Sequence, residues 1–380
     1  MVKPPYDKKL LEFLYNLTKN TKVMNSLEIA KHSADKRTDR TIRRWFADLQ
    51  SHCFDYYYYL KYENLGLQTV YAIIFGGKDI TKILNDFPLH DYAVPFFDST
   101  NLRDVFLVRY LIPQNRITNL TKYLENCKTR KLINMYEIFH FLTPTVIYSP
   151  FHKIVDKLGN VDFSNVNEND YEYFLKLLEK NIKEKSNMEL SKTIKHNPFI
   201  LPVLFTQNRE HWSSVKIWND IKERLGDDIW VYLKKIKRRS DAVGVRYLQR
   251  TLKSMYNEFR NELLKQVIIE YNPLFIDKYV TAIFILDFKD DSSLINFVKE
   301  ISKRCMVLYV YPPQSNHKKV MIYVITSHSE IHDIITDIAG NYGVERILWK
   351  SKMKFEQTWG RNLAKFKYEN IFDPVKCEWV

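Results

Sequence analysis

The sequence has few cysteines and glycines, and it has no long apolar run. Its 380 residues include 4 cysteines and 9 glycines. Because no two cysteines form a Cys-x-x-Cys pair, neither a structural zinc site nor a disulfide framework is expected. No stretch of about 18 apolar residues is present, and the first residues lack the apolar core of a signal peptide. These absences predict a soluble, cytoplasmic protein without a membrane partner. The cysteines are Cys53, Cys127, Cys305 and Cys377.

Catalytic and metal-binding motifs are also scarce. The glycine pair before Lys78 lacks the spacing of a P-loop. His328 and His332 are four residues apart in a predicted helix and can share a metal ion, although an exposed helix face is the simpler interpretation. His140 and His152 have no evident partner. Aspartates after a predicted strand can bind a cation or, as we favour, cap the next helix. They are Asp287, Asp290 and Asp291. We therefore predict no enzyme activity, no cofactor and no metal site.

Positive charge is what the chain has in excess. It carries 58 lysines and arginines against 45 aspartates and glutamates, a net charge of +13 with a pI near 9.2. Such a balance favours a polyanionic partner. Lysines and arginines concentrated on one surface would form the binding site for such a partner.

The stretch from Thr38 to Ser51 is predicted to be a short amphipathic helix. Its apolar residues recur at i, i+3, i+4 and i+7, the spacing of one helix face, and its arginines lie off that face. The apolar residues are Ile42, Trp45, Phe46 and Leu49, and the arginines are Arg40, Arg43 and Arg44. Thr38 or Asp39 can cap its start. Such a helix can enter a DNA major groove, and an ordinary surface helix is the alternative.

Two further helices are predicted before this one, at Lys8 to Leu17 and at Leu27 to His32. Three short helices with polar turns are typical of a helix-turn-helix domain. The tyrosine-rich segment Cys53 to Tyr62 favours a strand, which we interpret as part of a local strand pair, the wing of a winged helix. A stacking platform for nucleic-acid bases is the alternative for its tyrosines.

From Thr69 onward, strands and helices alternate in the order βαββαβ, which is typical of a ferredoxin-like unit. The same order returns later in the chain, after a second set of helices and a second basic helix, Val243 to Tyr256. The first unit comprises Val70 to Phe75, Asp79 to Asp86, Tyr92 to Phe97, Arg103 to Leu111, Gln114 to Asn126 and Leu132 to Phe139. The second comprises Val280 to Leu286, Ser292 to Ser302, Met306 to Tyr311, Lys319 to Thr326, Glu330 to Ala339 and Val344 to Trp349.

Matching residues indicate an internal duplication. Val70-Tyr-Ala-Ile aligns with Val280-Thr-Ala-Ile, and Val105-Phe-Leu-Val aligns with Val320-Met-Ile-Tyr. The predicted fold class is α+β, a tandem duplication of a winged helix-turn-helix domain followed by a ferredoxin-like βαββαβ domain. The predicted domains are 1–66 and 196–272 (winged helix-turn-helix), 67–145 and 273–352 (ferredoxin-like), 146–195 (connecting helical segment) and 353–380 (C-terminal tail).

This order of elements resembles two fused copies of the Lrp/AsnC transcription regulators. The resemblance rests on the helix around Ile42-Arg-Arg-Trp, the strand after it, Leu65-Gly66 and the βαββαβ unit. It implies binding of double-stranded DNA through the third helix and pairing of the ferredoxin-like domains, which also permits a homodimer. The predicted DNA-binding residues are Lys36, Arg37, Thr38, Arg40, Thr41, Arg43, Arg44, Lys237, Arg238, Arg239, Arg246, Gln249, Arg250 and Lys253.

One feature of that family is missing. Its effector loop usually carries a Gly-Asp-Tyr-Asp-like turn, whereas the corresponding segments here are Phe97 to Asp104 and Pro312 to Lys318, and neither contains glycine. A glycine-poor loop does not let a ligand approach the backbone closely, so a small-molecule effector is doubtful.

Two other functions are compatible with the sequence. Siroheme decarboxylases resemble fused or paired Lrp/AsnC units and use the cleft of the sensing domain with histidine and arginine residues. Their basic wing is not evident in the segment CFDYYYYLKY. A non-catalytic module that only assembles partners is the third possibility. The sequence favours the DNA-binding transcription regulator.

Overall fold

The computed structural model describes residues 8–19, 40–41, 44, 54–77, 83, 90–98, 102–156, 160–183, 189–206, 214–233, 236–254, 262–271, 279–314, 319–350 and 372–380. Its strands are β1 Phe54–Leu60, β2 Leu67–Gly77, β3 His90–Asp98, β4 Arg103–Pro113, β5 Ile133–Phe141, β6 Thr145–Tyr148, β7 Leu264–Tyr271, β8 Tyr279–Asp287, β9 Val307–Tyr311, β10 Lys319–Ser327, β11 Gly343–Lys350, β12 Phe372–Asp373 and β13 Glu378–Trp379. Its helices are α1 Lys8–Thr18, α2 Ile117–Thr129, α3 Phe151–Ile154, α4 Glu172–Lys183, α5 Lys192–His196, α6 Ile200–Thr206, α7 Ser214–Leu225, α8 Ile229–Tyr232, α9 Asp241–Ser254, α10 Asp291–Ser302 and α11 His328–Asn341.

The fold is mixed α/β and is organised around one curled, antiparallel sheet of nine strands. Their order is β5-β2-β4-β3-β11-β8-β10-β9-β6. The first four of these strands and the next four follow the same internal order, fourth-first-third-second, which is that of a βαββαβ unit. Helices α10 and α11 connect strands of the second unit, and α2 does so in the first. The helix predicted at 79–86 lies outside the described residues, apart from Ile83.

The sheet has an outer face covered by helices and an inner face where the two units meet. Alternate residues of a strand face opposite sides, so each strand contributes to both cores. On the outer face, α2 lies along β5 and buries Leu120 and Leu124. On the inner face, the ring of Tyr71 lies 5.3 Å from that of Tyr311 and 5.9 Å from that of Phe141. These aromatic contacts join residues of both units.

The register of the strands corrects one predicted alignment. The alignment of β2 with β8 makes Phe75 the counterpart of Ile285. Phe75 pairs with Val105 across β2 and β4, and Ile285 pairs with Met321 across β8 and β10. Val105 therefore corresponds to Met321, and its predicted alignment with Val320 was wrong. A slip of one residue exchanges the two faces of a strand, which a comparison of apolar runs does not detect.

The tyrosine-rich strand β1 lies outside the main sheet and pairs with β7. The strand predicted in the tyrosine-rich segment is present as β1, but its partner is β7 from the other repeat, not a neighbouring strand of a local wing. Gln266 of β7 is fully buried and fixes this ribbon to the main sheet. Its side chain accepts a hydrogen bond from Val146 N at 2.9 Å and donates one to Val146 O at 2.6 Å.

Strand β6 was missed in the sequence. It lies at the start of the segment predicted to be helical, and it pairs with β9 at the edge of the main sheet. Its four residues stand between Pro144 and Pro150, and so short a run is a weak signal of a strand. The segment predicted to be helical, 146–195, does contain helices, of which α4 is the longest described. The predicted cap is also present, since Asp290 accepts a hydrogen bond from Ser293 N at 2.7 Å at the start of α10.

The second basic helix, α9, packs against α7. Gly244 is buried in this contact, where a Cβ atom would lie 2.0 Å from the Trp218 ring. Of the helix predicted over Thr38 to Ser51, the structure describes Arg40, Thr41 and Arg44, all helical. The tandem winged helix-turn-helix arrangement therefore stays a prediction. Among the described helices, none combines the length and hydrophobicity needed to cross a lipid bilayer.

Candidate functional site

The curled sheet brings its two units together at two seams. At each seam, the fourth strand of one unit meets the second strand of the other. At the first seam, β11 pairs directly with β3, so that Leu348 lies opposite Asp98 and Trp349 opposite Phe97. We call this the closed seam.

The other seam, between β5 and β9, is joined only at one end in the described residues. Phe141 forms a bridge with Pro313, and Leu142 N donates a hydrogen bond to Pro312 O at 2.9 Å. One edge of β9 is paired with β10 and the other with β6. Strand β5 therefore does not pair with β9 and meets this unit only at the bridge. We call this the open seam.

Three polar side chains from both units meet at the open seam, and we call Gln68, His140 and Gln314 the seam cluster. Gln68 Nε2 lies 2.8 Å from His140 Nδ1 and also donates a hydrogen bond to Gln314 Oε1. The backbone closes the same contact, because Gln314 N donates to His140 O at 3.2 Å. Gln68 is buried, whereas His140 and Gln314 are partly exposed. Gln68 is thus held inside the protein, whereas solvent reaches His140 and Gln314.

This geometry selects one form of the imidazole. The amide of Gln68 has two hydrogens, and the contacts use one toward Gln314 and one toward His140. Nδ1 of His140 then accepts a hydrogen bond, so the proton of the neutral ring is on Nε2. A histidine held in this way presents an N–H group on the side away from Gln68.

A lysine and an aromatic ring lie at the open seam on the inner face, on the side of the sheet opposite to the His140 side chain. Lys319 is the first residue of β10, and its Nζ lies 5.8 Å from the centre of the Phe139 ring. Phe139 precedes His140 in β5 and stacks with Phe141 at 6.2 Å between ring centres. Lys319 is partly exposed. Because successive residues of a strand face opposite sides of the sheet, Lys319 and Phe139 lie on the inner face and the side chain of His140 lies on the other face.

A buried ionic group, the ionic cluster, crosses the inner face at the closed seam. It consists of Asp98, Glu137 and Arg346. Arg346 Nη1 donates to Asp98 Oδ2 at 2.6 Å, Nη2 donates to Glu137, and the guanidinium lies 5.1 Å from the Phe75 ring centre. Burial lowers the pKa of Arg346, but the hydrogen bond to Asp98 and the charge of Glu137 outweigh it, so its pKa stands above the ordinary value. The cluster links the first unit to the second.

These groups differ in what they can do chemically. In the ionic cluster the charges bind each other, which suits a structural link. At the open seam, the imidazole N–H of His140 can donate a hydrogen bond, and the ammonium of Lys319 can bind a carboxylate. The described residues contain no group of three or more His, Cys, Asp or Glu side chains placed to hold a metal ion. The open seam is therefore the candidate site.

The residues predicted to contact DNA lie elsewhere. Arg40 and Arg44 are exposed and Thr41 is half-buried, while Lys36, Arg37, Thr38 and Arg43 lie outside the described residues. Seven others are exposed on α9 or just before it: Lys237, Arg238, Arg239, Arg246, Gln249, Arg250 and Lys253. They form a basic surface, but they are not part of the seam, which is built from β2, β5 and the ends of β9 and β10.

Both histidines that had no evident partner in the sequence have neighbours in the structure. His140 belongs to the seam cluster. The ring of His152 lies 5.6 Å from the Tyr15 ring, beside the ion pair of Lys153 and Asp170, whose closest atoms are 2.7 Å apart. Burial lowers the pKa of His152. In contrast, His328 and His332 are exposed on α11, as expected for a surface helix.

Comparison with known proteins gives matches among solved structures alone. No family model and no curated protein matches the chain. The crystal structure of the siroheme decarboxylase NirDL matches with a TM-score of 0.41 and 9% identity, covering 95% of this chain and 97% of that one. The same enzyme in complex with an iron-uroporphyrin III analogue matches with a TM-score of 0.41 and 9% identity, covering 90% and 91%.

These matches overturn three predictions made from the sequence. They were that the chain is an Lrp/AsnC-type transcription regulator, that it acts by binding DNA and that it is not an enzyme. Both matched structures are of an enzyme, and neither is described as a transcription regulator. The alternative of a siroheme-decarboxylase-like enzyme accords with them, and the DNA-binding function is not carried further.

Proposed function

We propose that the chain is an enzyme that binds a carboxylated tetrapyrrole at the open seam and removes a carboxylate from it. The substrate class is that of the enzyme whose structures match the chain. The observation that carries the proposal is the position of Lys319, a partly exposed cation on the inner face of the sheet at the open seam, 5.8 Å from the centre of the Phe139 ring. A carboxylate substrate needs a cation to bind it, and its decarboxylation needs a proton donor.

The decarboxylation step is balanced by one proton from solvent. Decarboxylation breaks the bond between the carboxylate carbon and the rest of the substrate, and carbon dioxide leaves. The electron pair of that bond stays on the substrate carbon and must be taken up by one proton. Solvent water supplies this proton, because the neutral ring of His140, whose Nδ1 accepts from Gln68, does not release its Nε2 proton.

Binding uses charge complementarity. A tetrapyrrole with several carboxylates is an anion, and the chain carries a net charge of +13, which attracts it over a long range. At the seam, the Lys319 ammonium forms a charge-assisted hydrogen bond with one carboxylate. The Phe139 ring below Lys319 restricts that side chain and supports its position by a cation–π contact.

Two measurements with siroheme test the proposal. Absorption spectroscopy follows the shift of its Soret band on binding, and mass spectrometry follows the loss of carbon dioxide from the tetrapyrrole. We expect Lys319→Met to weaken binding by about tenfold, which is the loss of one charge-assisted hydrogen bond of roughly 1.4 kcal/mol. Because the proton comes from solvent and the His140 side chain lies on the other face of the sheet, we expect His140→Gln to leave the binding and the decarboxylation rate unchanged.

His332→Gln is the matched control, because it makes the same change at an exposed histidine of α11. It should leave binding and rate as in the unaltered chain. Absence of a Soret shift with the unaltered chain overturns the tetrapyrrole assignment. A Lys319→Met variant that binds siroheme as tightly as the control overturns the role of Lys319.

A further inference from the structure

We propose that β5 pairs with β5 of a second copy of this chain, so that the main sheets of the two copies join edge to edge. The nine-stranded sheet ends in β5 on one side and in β6 on the other. The outer edge of such a strand carries peptide groups that can pair with another strand. The two edges of this sheet differ in whether those groups have a partner.

The edge of β6 is capped by a side chain of the same chain. On one side, β6 pairs with β9. On the other side, Val146 N donates to Oε1 of Gln266 at 2.9 Å, and Nε2 of Gln266 donates to Val146 O at 2.6 Å. Gln266 is fully buried. Its amide thus takes the place of the peptide group that an additional strand would offer to Val146.

The peptide groups on the outer edge of β5 belong to alternate residues. Gln314 N donates to His140 O at 3.2 Å, and Leu142 N donates to Pro312 O at 2.9 Å. Residues 140 and 142 therefore direct their peptide groups away from β2. Because the direction alternates along a strand, three earlier residues of β5 do the same, and the described part of the chain supplies no hydrogen bond to them on that edge. They are Asn134, Tyr136 and Ile138.

Strand β5 lacks the internal partner that its counterpart in the second unit has. That counterpart is β11, which pairs by the equivalent edge with β3. The counterpart of β3 is β9, whose two edges are already paired with β10 and β6. A strand from outside the chain can therefore complete the pairing of β5 in the way that β3 completes the pairing of β11.

The edge of β5 also lacks the features that usually prevent such pairing. Proteins protect exposed edges with lysine, proline, bulges or short strands. Strand β5 has nine residues with no lysine, arginine or proline, and it pairs with β2 without a shift of register. Its one acidic side chain, Glu137, is already bound to Arg346. Asn134 is exposed and the four residues after it are half-buried, so a second strand can reach this edge.

The residues along this edge are complementary to themselves, which favours a second copy as the partner. In an antiparallel pair with a two-fold axis at Tyr136, Asn134 lies opposite Ile138 of the second copy. All three outward peptide groups then form hydrogen bonds across the axis, and Glu137 lies opposite Met135. An axis at Glu137 would place two carboxylates opposite each other, which is unfavourable. A contact of this symmetric kind closes with two copies.

Sedimentation equilibrium of the full-length chain tests for the dimer. The buffer contains enough salt to screen the net charge of +13 on each copy. We expect a mass of twice 45.6 kDa. Ile138→Pro removes an N–H group that points to the outer edge and none that bonds to β2, so we expect it to halve the mass. Ile138→Val is the matched control, since it keeps that N–H group and should remain a dimer.

Hydrogen exchange at single-residue resolution locates the contact. The amide of Tyr136 should exchange slowly in the unaltered chain and fast in Ile138→Pro. The amides of Met135 and Glu137 point toward β2, so they should exchange slowly in both. This alternation distinguishes pairing at the edge from a general change in the stability of β5.

A second variant keeps the test decisive if circular dichroism shows that Ile138→Pro does not fold. Tyr136→Lys places two positive charges opposite each other at the axis and should also halve the mass, whereas Tyr136→Phe should remain a dimer. An unaltered chain with the mass of one copy at every concentration overturns the proposal. A dimer that persists in the folded Ile138→Pro or Tyr136→Lys variant forms elsewhere and overturns it too. A single copy with a protected Tyr136 amide means that another segment of the same chain covers β5, with the same consequence.

Discussion

Arg346 and Asp98 form a buried ion pair that joins the two repeats of this chain, with 2.6 Å between Nη1 and Oδ2. Asp98 ends β3 of the first unit, and Arg346 lies in β11 of the second at a register shift of that strand. The shift re-aims the side chain, so that the same guanidinium also binds Glu137 of β5. One residue of the second unit is thus bound to two strands of the first.

Removal of one charge from this pair should destabilise the chain strongly. We expect Asp98→Asn to lower the free energy of unfolding by about 3 kcal/mol, because it leaves much of the charge of a buried arginine uncompensated. Urea unfolding followed by circular dichroism measures the change. Glu172→Gln is the control, since it removes an exposed pair with Lys176 at 2.6 Å, which solvent screens, and should change the urea midpoint little. Equal effects of the two variants would contradict the prediction.

The strands and helices of the two units were predictable because their signals are local. The predicted strand Lys319 to Thr326 differs from β10 by one residue, and the capping role of Asp290 follows from its position before a helix. The seam cluster was not predictable in this way. Gln68 and Gln314 are 246 residues apart, and no periodicity relates them. Sequence patterns identify faces of elements, whereas a site between two repeats depends on how the sheet closes.

The functional prediction failed for a related physical reason. A basic helix face is compatible with DNA binding, but it is equally compatible with a solvated surface. The exposed residues around Arg246 and Arg250 satisfy both interpretations. His140 appeared unremarkable because its partners come from other strands. Charge composition therefore predicted a polyanionic ligand in general terms and did not distinguish a nucleic acid from a small anion.

Gly66 has a backbone conformation and a neighbour that both require glycine. Its φ is +68°, and a Cβ atom would lie 3.0 Å from Nε1 of Trp379, which donates a hydrogen bond to Leu65 O at 2.8 Å. We expect Gly66→Ala to lower the free energy of unfolding by about 2 kcal/mol or more, from backbone strain together with displacement of the indole. Urea unfolding, with tryptophan fluorescence, measures both effects.

The matched control is Gly226→Ala. Gly226 also has a positive φ, +54°, but nothing lies within 4 Å of a Cβ atom there. This variant should show only the backbone strain, about 1 kcal/mol. If Gly66→Ala were no more destabilising than Gly226→Ala, the contact with Trp379 would have no energetic role.

The stability of the chain should depend on pH through His152. Burial lowers its pKa below the ordinary 6.5, so the unfolded chain binds the proton more tightly than the folded chain does. Its contribution is therefore complete above pH 6.5 and is lost as the pH falls through the lowered pKa of the folded state. We expect His152→Gln to flatten the fall of the urea midpoint between about pH 7 and pH 5. His332→Gln should keep the original slope, and a slope unchanged in both variants would exclude His152 as its source.

The protonation state of the His140 ring can be measured without any substrate. Because Gln68 Nε2 lies 2.8 Å from Nδ1, we expect the neutral ring to carry its proton on Nε2, and nitrogen-15 NMR of labelled histidine distinguishes the two tautomers. Gln68→Leu removes the donor to Nδ1, so the population of the Nε2–H form should fall toward that of a free imidazole. Gln114→Leu makes the same change at an exposed glutamine and should leave the spectrum of His140 as it was. A ring protonated on Nδ1 in the unaltered chain would mean that His140 donates to Gln68, and Nε2 could then accept a hydrogen bond but not donate one.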